Sequence, residues 1–127
     1  MRLLLDTHAF LWWLAGDEAL PARAREAIGE AQTVYVSAAS VWEIATKHRI
    51  GKLPGVSAIV GSLPTIIADE DFAELPISAR HAEAAGLLPG PHRDPFDRML
   101  IAQARIEEAL LVSNEAIFDA YGAQRLW

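Results

Sequence analysis

With 127 residues, 52% of them hydrophobic and 22% charged, the chain carries enough apolar material for one packed domain and too much for a disordered one. It has no cysteine, which excludes disulfide staples, thiolate zinc sites and cysteine nucleophiles. Its 11 basic and 17 acidic residues leave a formal net charge of −6, so a nucleic-acid function has to rest on a local basic patch or on bound metal.

Arg2–Leu5 is a short apolar run ending in Asp6, which reads as a buried strand. Asp6 and His8 interrupt the run and no small-residue cleavage site follows, so it is not a signal peptide. No segment supplies the roughly 18 uncharged apolar residues of a membrane span. A soluble, cytoplasmic protein without membrane contact is expected. Thr7–Ala15 places Phe10, Leu11 and Leu14 at helical spacing, with Gly16 as the stop. Leu20–Glu30 reads as a second helix with Pro21 in its first turn. Thr33–Val36 is β-branched and aromatic, hence a strand, and Ser37 or Ser40 opens the helix after it.

Gly51, Pro54 and Gly55 mark a break, and Val56–Glu70 reads as helical with an interruption near Pro64. Phe72–Ile77 is a short strand and Ser78–Ala85 a short helix ending at Gly86. Leu87–Arg93, with Pro89, Gly90 and Pro91, is the clearest loop. Pro95–Ala109 is the strongest helix, its buried stripe drawn through Phe96, Met99, Leu100, Gln103 and Ile106. Leu110–Val112 is a strand, Glu115–Tyr121 a helix stopped by Gly122, and Arg125–Trp127 an edge strand. Strands alternating with helices imply right-handed crossovers, a mainly parallel sheet covered on both faces, and a ligand site beyond the carboxyl ends of the strands.

Acids stand at those ends. Asp6 follows the first strand, Glu43 is assigned to the first turn after the second, and Glu115 lies just past Leu110–Val112. Asp94 and Asp97 open the long helix. Clustered carboxylates resist joint ionisation unless a cation is present, and hard ions such as Mg²⁺ or Mn²⁺ prefer oxygen ligands. Each acid also reads as a helix cap. Asp94-Pro95-Phe96-Asp97 and Ser40-Val41-Trp42-Glu43 both have the spacing of a capping box, and acids suit helix N-termini in any case. Both readings stay open on spacing alone.

The motifs add a resemblance, with Asp94 kept mainly as the cap that orients the helix carrying Asp97. Leu3-Leu4-Leu5-Asp6-Thr7-His8 resembles the opening motif of PIN domains, and Ser37 to Lys47, around Glu43, is similar to their second. His92-Arg93-Asp94-Pro95-Phe96-Asp97-Arg98 resembles the third, Leu111-Val112-Ser113-Asn114-Glu115 the fourth, and Tyr121-Gly122 and the final Leu126-Trp127 suit the branch of VapC-type toxins. This resemblance spans the chain and implies a three-layer α/β/α sandwich with Mg²⁺- or Mn²⁺-dependent endoribonuclease activity. It matches Asp6, Glu43 and Asp97 to the family's metal-site acids, and implies a homodimeric toxin held inactive by an antitoxin protein. One departure stands out: the fourth motif usually carries aspartate where this chain has Glu115, which either holds a second metal or faces solvent.

Among the supporting residues, Thr7 is placed to steady a carboxylate or to act as a local cap. His8, His48, His81 and His92 lack paired zinc-ligand spacing and read as structural or surface groups. Lys47, Arg49 and Lys52 belong to the only local basic run, either a solvated helix end or a grip on RNA phosphates. Trp12 and Trp13 are adjacent, so one is expected in the core and the other at a protein interface. Two other functions fit the same residues: a noncatalytic binding module of the same fold, and a nuclease of RNA maturation.

Overall fold

Five short strands, β1 (Arg2–Leu5), β2 (Thr33–Ser37), β3 (Ala73–Leu75), β4 (Leu110–Val112) and β5 (Arg125–Leu126), form the centre of the computed structural model, which describes residues 1–127. They lie in the order β3-β2-β1-β4-β5, and every pairing is parallel. The helices are α1 (Thr7–Ala15), α2 (Ala22–Glu30), α3 (Ala38–Arg49), α4 (Leu63–Asp69), α5 (Ala79–Leu87) and α6 (Pro95–Ile106), with a 3-10 helix over Ala116–Tyr121. None is long and apolar enough to cross a membrane.

Side-chain alternation along β1 divides the core. Leu3 and Leu5 pack on one face with Phe10 of α1, Ile28 of α2, Ile44 of α3 and Ile67 of α4. Leu4 points the other way and meets Leu111, Leu100 and Ile101 of α6, and Phe118. Burying one such side chain stabilises by about 1.5–3 kcal/mol, more than the helix propensity of segments this short can supply. The sheet is therefore covered on both sides, as expected.

Several local expectations shift. The second helix starts at Ala22, because Pro21 is still extended at the cap position. Val56–Val60 makes a single hydrogen-bonded turn rather than a helix, and α4 starts at Leu63 with Pro64 in its first turn rather than interrupting it. The third strand shortens to Ala73–Leu75, and α5 runs past Gly86 to Leu87. α6 stops at Ile106, since Glu108 takes a left-handed conformation (φ 54°), and its buried positions centre on Leu100–Ala104 rather than on Phe96 and Met99. Trp12 and Trp13 are both half-buried, against Trp127 and Phe72 respectively. The exposed tryptophan is Trp42 (61%), edge-on to Phe96.

Candidate active site

The chain winds from β1 outward to β3, then crosses to β4 and β5, so the strand order reverses between β1 and β4 and opens a crevice at their carboxyl ends. Asp6 sits there. Its amide donates to the Val112 carbonyl at 3.0 Å, and its Oδ1 accepts from the Ala9 amide at 2.7 Å, capping α1. The cap and the crevice position thus coexist in one residue that is 5% exposed. Burial pushes the Asp6 carboxyl above the ordinary aspartate range; the Ser113 hydroxyl and the Ala9 amide oppose this, and the charge of Glu115 adds to it. Glu115 itself is exposed, its side chain caps nothing, and its amide is held by Ser113 Oγ at 2.9 Å.

Glu43 reaches the same edge from α3, though not from the first turn. Ser37 Oγ accepts from the Ala39 amide at 3.0 Å, so the helix opens at Ala38 and Glu43 lies in its second turn. Ser40 is consequently internal rather than a cap. Its hydroxyl is hydrogen-bonded to that of Thr7 at 3.1 Å, and Thr7 donates to Glu43 Oε1 at 2.5 Å. The carboxylate that Thr7 steadies is therefore that of Glu43, which is 5% exposed. The other oxygen, Oε2, accepts from Lys47 Nζ at 2.5 Å, one helical turn on. Glu43, with smaller contributions from Asp94 and Asp97, holds the Lys47 ammonium above its ordinary range. Of the expected RNA contacts, Lys47 is thus turned onto an acid, while Arg49 and Lys52 are exposed.

Asp97 comes from the first turn of α6. Asp94 Oδ1 accepts from the amides of Phe96 (2.9 Å) and Asp97 (3.1 Å), which fixes the helix start. The capping box is not closed, because the Asp97 side chain turns away and its Oδ2 meets His92 Nε2 at 2.8 Å. The Asp97 pKa is pushed up to about 6, chiefly by burial; the His92 hydrogen bond opposes this, and the negative charges of Asp94 and Glu43 add to it. His92 is the site residue that sequence reasoning missed. Its amide donates to Tyr121 Oη at 2.8 Å and its carbonyl accepts from Arg98 at 2.7 Å, so the proline-rich loop delivers the ring to Asp97. No periodic signal marks a residue placed by a loop. His81, by contrast, is structural as expected, buried between Ser78, Gln103 and Glu107.

Two clusters of ionisable side chains result. Asp6 stands with Glu115, and Glu43 stands with Asp94, Asp97, Lys47 and His92, joined to the first group through Thr7, the neighbour of Asp6.

Comparison with protein families matches the PIN domain to residues 3–124. The chain belongs to the PIN domain family. Comparison with curated protein sequences gives no match. Among solved structures, the DNA-bound VapBC of Salmonella typhimurium is similar at 16% identity and a TM-score of 0.71, over 100% of this chain and 97% of that one. VapBC2 of Rickettsia felis, bound to a promoter DNA fragment, gives 17% identity and 0.69, over 100% and 98%. The Mycobacterium tuberculosis sarcin–ricin loop cleaving toxin VapC20 gives 18% and 0.66, over 98% of each chain. At such identities these likenesses establish the fold, which is the expected PIN-type sandwich.

The donor chemistry of this PIN domain suits a hard divalent ion. Asp6, Glu43 and Asp97 offer only carboxylate oxygens, and burial first, with neighbouring acids second, disfavours the ionised forms of Asp6 and Asp97. The side chains are not preassembled around such an ion: no three acidic or histidine groups converge closely enough to hold one. Lys47 and His92 occupy Glu43 and Asp97 instead.

Proposed function

We propose that this PIN domain is a Mg²⁺- or Mn²⁺-dependent endoribonuclease that hydrolyses RNA phosphodiester bonds and acts as the toxin of a toxin–antitoxin pair. The observation that carries the reading is that carboxylates from the cap of α1, from α3 and from α6 line the same edge of the sheet, Asp6 and Asp97 both pushed toward protonation. Asp6, Asp97 and Glu43 would hold the ion, with Glu115 beside Asp6. When bound, such an ion supplies an activated water and neutralises charge building on the phosphodiester. Thr7 and Ser40 fix the rotamer of Glu43, and His92 fixes that of Asp97. Arg49 and Lys52, exposed past the site, supply the cationic grip on phosphates that the net charge of −6 otherwise denies.

RNA is favoured as substrate by family membership and by likeness to VapC20, whose structure is described as that of a sarcin–ricin loop cleaving toxin. An antitoxin partner is favoured by likeness to a toxin–antitoxin complex from Klebsiella pneumoniae. A homodimer and a cytoplasmic setting belong to the same reading. Purified protein with Mn²⁺ should cut structured RNA, and Asp6→Asn or Asp97→Asn should abolish cutting. Equal cutting by wild type and both variants would reject the mechanism.

A second reading, a noncatalytic binding module, draws on the contacts of Lys47 and His92 with Glu43 and Asp97. It predicts no heat of Mn²⁺ binding and no growth arrest on expression. A nuclease of RNA maturation would keep the chemistry and differ in its gene neighbourhood.

A further inference from the structure

Both oxygens of Glu43 are taken, but by very different partners. Thr7 holds Oε1 from inside the fold, and is itself buried and braced by Ser40. Lys47 holds Oε2 from the rim, on a flexible stem whose side chain is 33% exposed. Only the second contact can be exchanged without disturbing the core. An ordinary exposed Glu–Lys pair one helical turn apart contributes a few tenths of a kcal/mol and has no further consequence. This pair differs in two respects: its carboxylate is buried, and the ammonium also feels Asp94 and Asp97 from the start of a different helix, α6.

We propose that Lys47 is a resident counterion of the acidic site, seated on Glu43 in the metal-free protein and displaced when a divalent cation binds, so that it sets the metal affinity of the site. The inference rests on the metal-dependent reading given above and adds a residue to it. The ammonium offsets the buried negative charge of Glu43. It also opposes a second cation by direct repulsion and by holding one oxygen of Glu43. Displaced, its stem leaves it free to turn toward an incoming phosphate.

The test is Mn²⁺ binding, followed by calorimetry and by loss of the free-ion paramagnetic resonance signal, for wild type, Lys47→Met and Lys47→Arg. Lys47→Met should bind Mn²⁺ about tenfold more tightly, the effect of removing one like charge from a partly buried site. Lys47→Arg should bind as the wild type does, and Arg23→Met, which removes a cation from remote α2, should leave affinity unchanged. Melting in EDTA separates this from a structural role: Lys47→Met should melt lower than wild type without metal, and gain more from saturating Mn²⁺. Wild-type or weaker affinity in a folded Lys47→Met protein would overturn the proposal while leaving the metal site standing. Absence of Mn²⁺ binding in both wild type and Lys47→Met would overturn the proposal and the metal-dependent reading together.

Discussion

Replacing Asp97 by asparagine should make the metal-free protein more stable, although it removes a residue central to the site. The Asp97 pKa of about 6 stands about two pH units above the ordinary 3.8. At about 1.4 kcal/mol per unit, the full linkage is about 3 kcal/mol. The side chain is 22% exposed at an open crevice, and allowing for solvent screening leaves about 1–2 kcal/mol. The folded protein binds this proton more tightly than the unfolded chain does. Ionised Asp97 therefore costs stability above pH 6, and the cost fades as pH falls through 6 toward 4. Asparagine is neutral throughout, and its amide oxygen can still accept from His92. In EDTA at pH 7.5, Asp97→Asn should melt about 5 °C above wild type, on the scaling for a domain of this size. The difference should narrow steadily as pH falls below 6 and vanish only below the ordinary 3.8, and saturating Mn²⁺ should reverse it by stabilising only the wild type. An Asp97→Asn protein that melts at or below wild type at pH 7.5, with a gap that does not change as pH falls, would refute this reasoning.

Other residues give sharper separations of stability from activity. Asp6→Asn should retain the cap on α1 and melt at or above wild type in EDTA while losing RNA cleavage, whereas Asp6→Ala should lose cleavage and, relative to Asp6→Asn, about 1 kcal/mol, measured by urea unfolding. Asp94→Ala should cost about 1 kcal/mol by loss of the α6 cap and reduce cleavage without abolishing it, and Asp94→Ser should restore most of the stability. Gly90→Ala should lower the melting temperature by several degrees and impair cleavage. Gly90 has φ 106°, and an added Cβ would lie 2.5 Å from Tyr121 Cε1, so Tyr121 must move and release the His92 amide. Crystallography of that variant should find His92 off Asp97.

The features readable in the sequence are those with short-range causes. Leu3-Leu4-Leu5 followed by Asp6, the stop at Gly16 and the cap at Asp94 are each specified within a few residues, and the structure places them as expected. Local pattern was less decisive where two starts compete. Ser37 and Ser40 both suit a helix cap, and the extended backbone of Ser37 (ψ 145°), continuing β2, decides between them and moves Glu43 into the second turn. Val56, Ile59 and Val60 have helical spacing, yet Gly55 and Gly61 bracket them with left-handed backbone and leave room for one turn. The end of α6 carries no glycine, and Glu108 takes the left-handed position itself, so nothing in the composition marks it. The contacts that shape the site, Lys47 with Glu43 and His92 with Asp97, depend on side-chain direction and on a loop held by Tyr121, beyond the reach of periodicity. Motif resemblance located the acids; only the fold shows what occupies them.

A crystal of the wild-type protein soaked in Mn²⁺ and measured at the manganese absorption edge tests the central claim most directly. An anomalous peak is expected in the crevice, within about 2–2.5 Å of carboxylate oxygens from both Asp6 and Asp97, with Lys47 moved off Glu43. A fully soaked crystal with no peak there, or with Asp6 and Asp97 too far apart to share one ion, would contradict it.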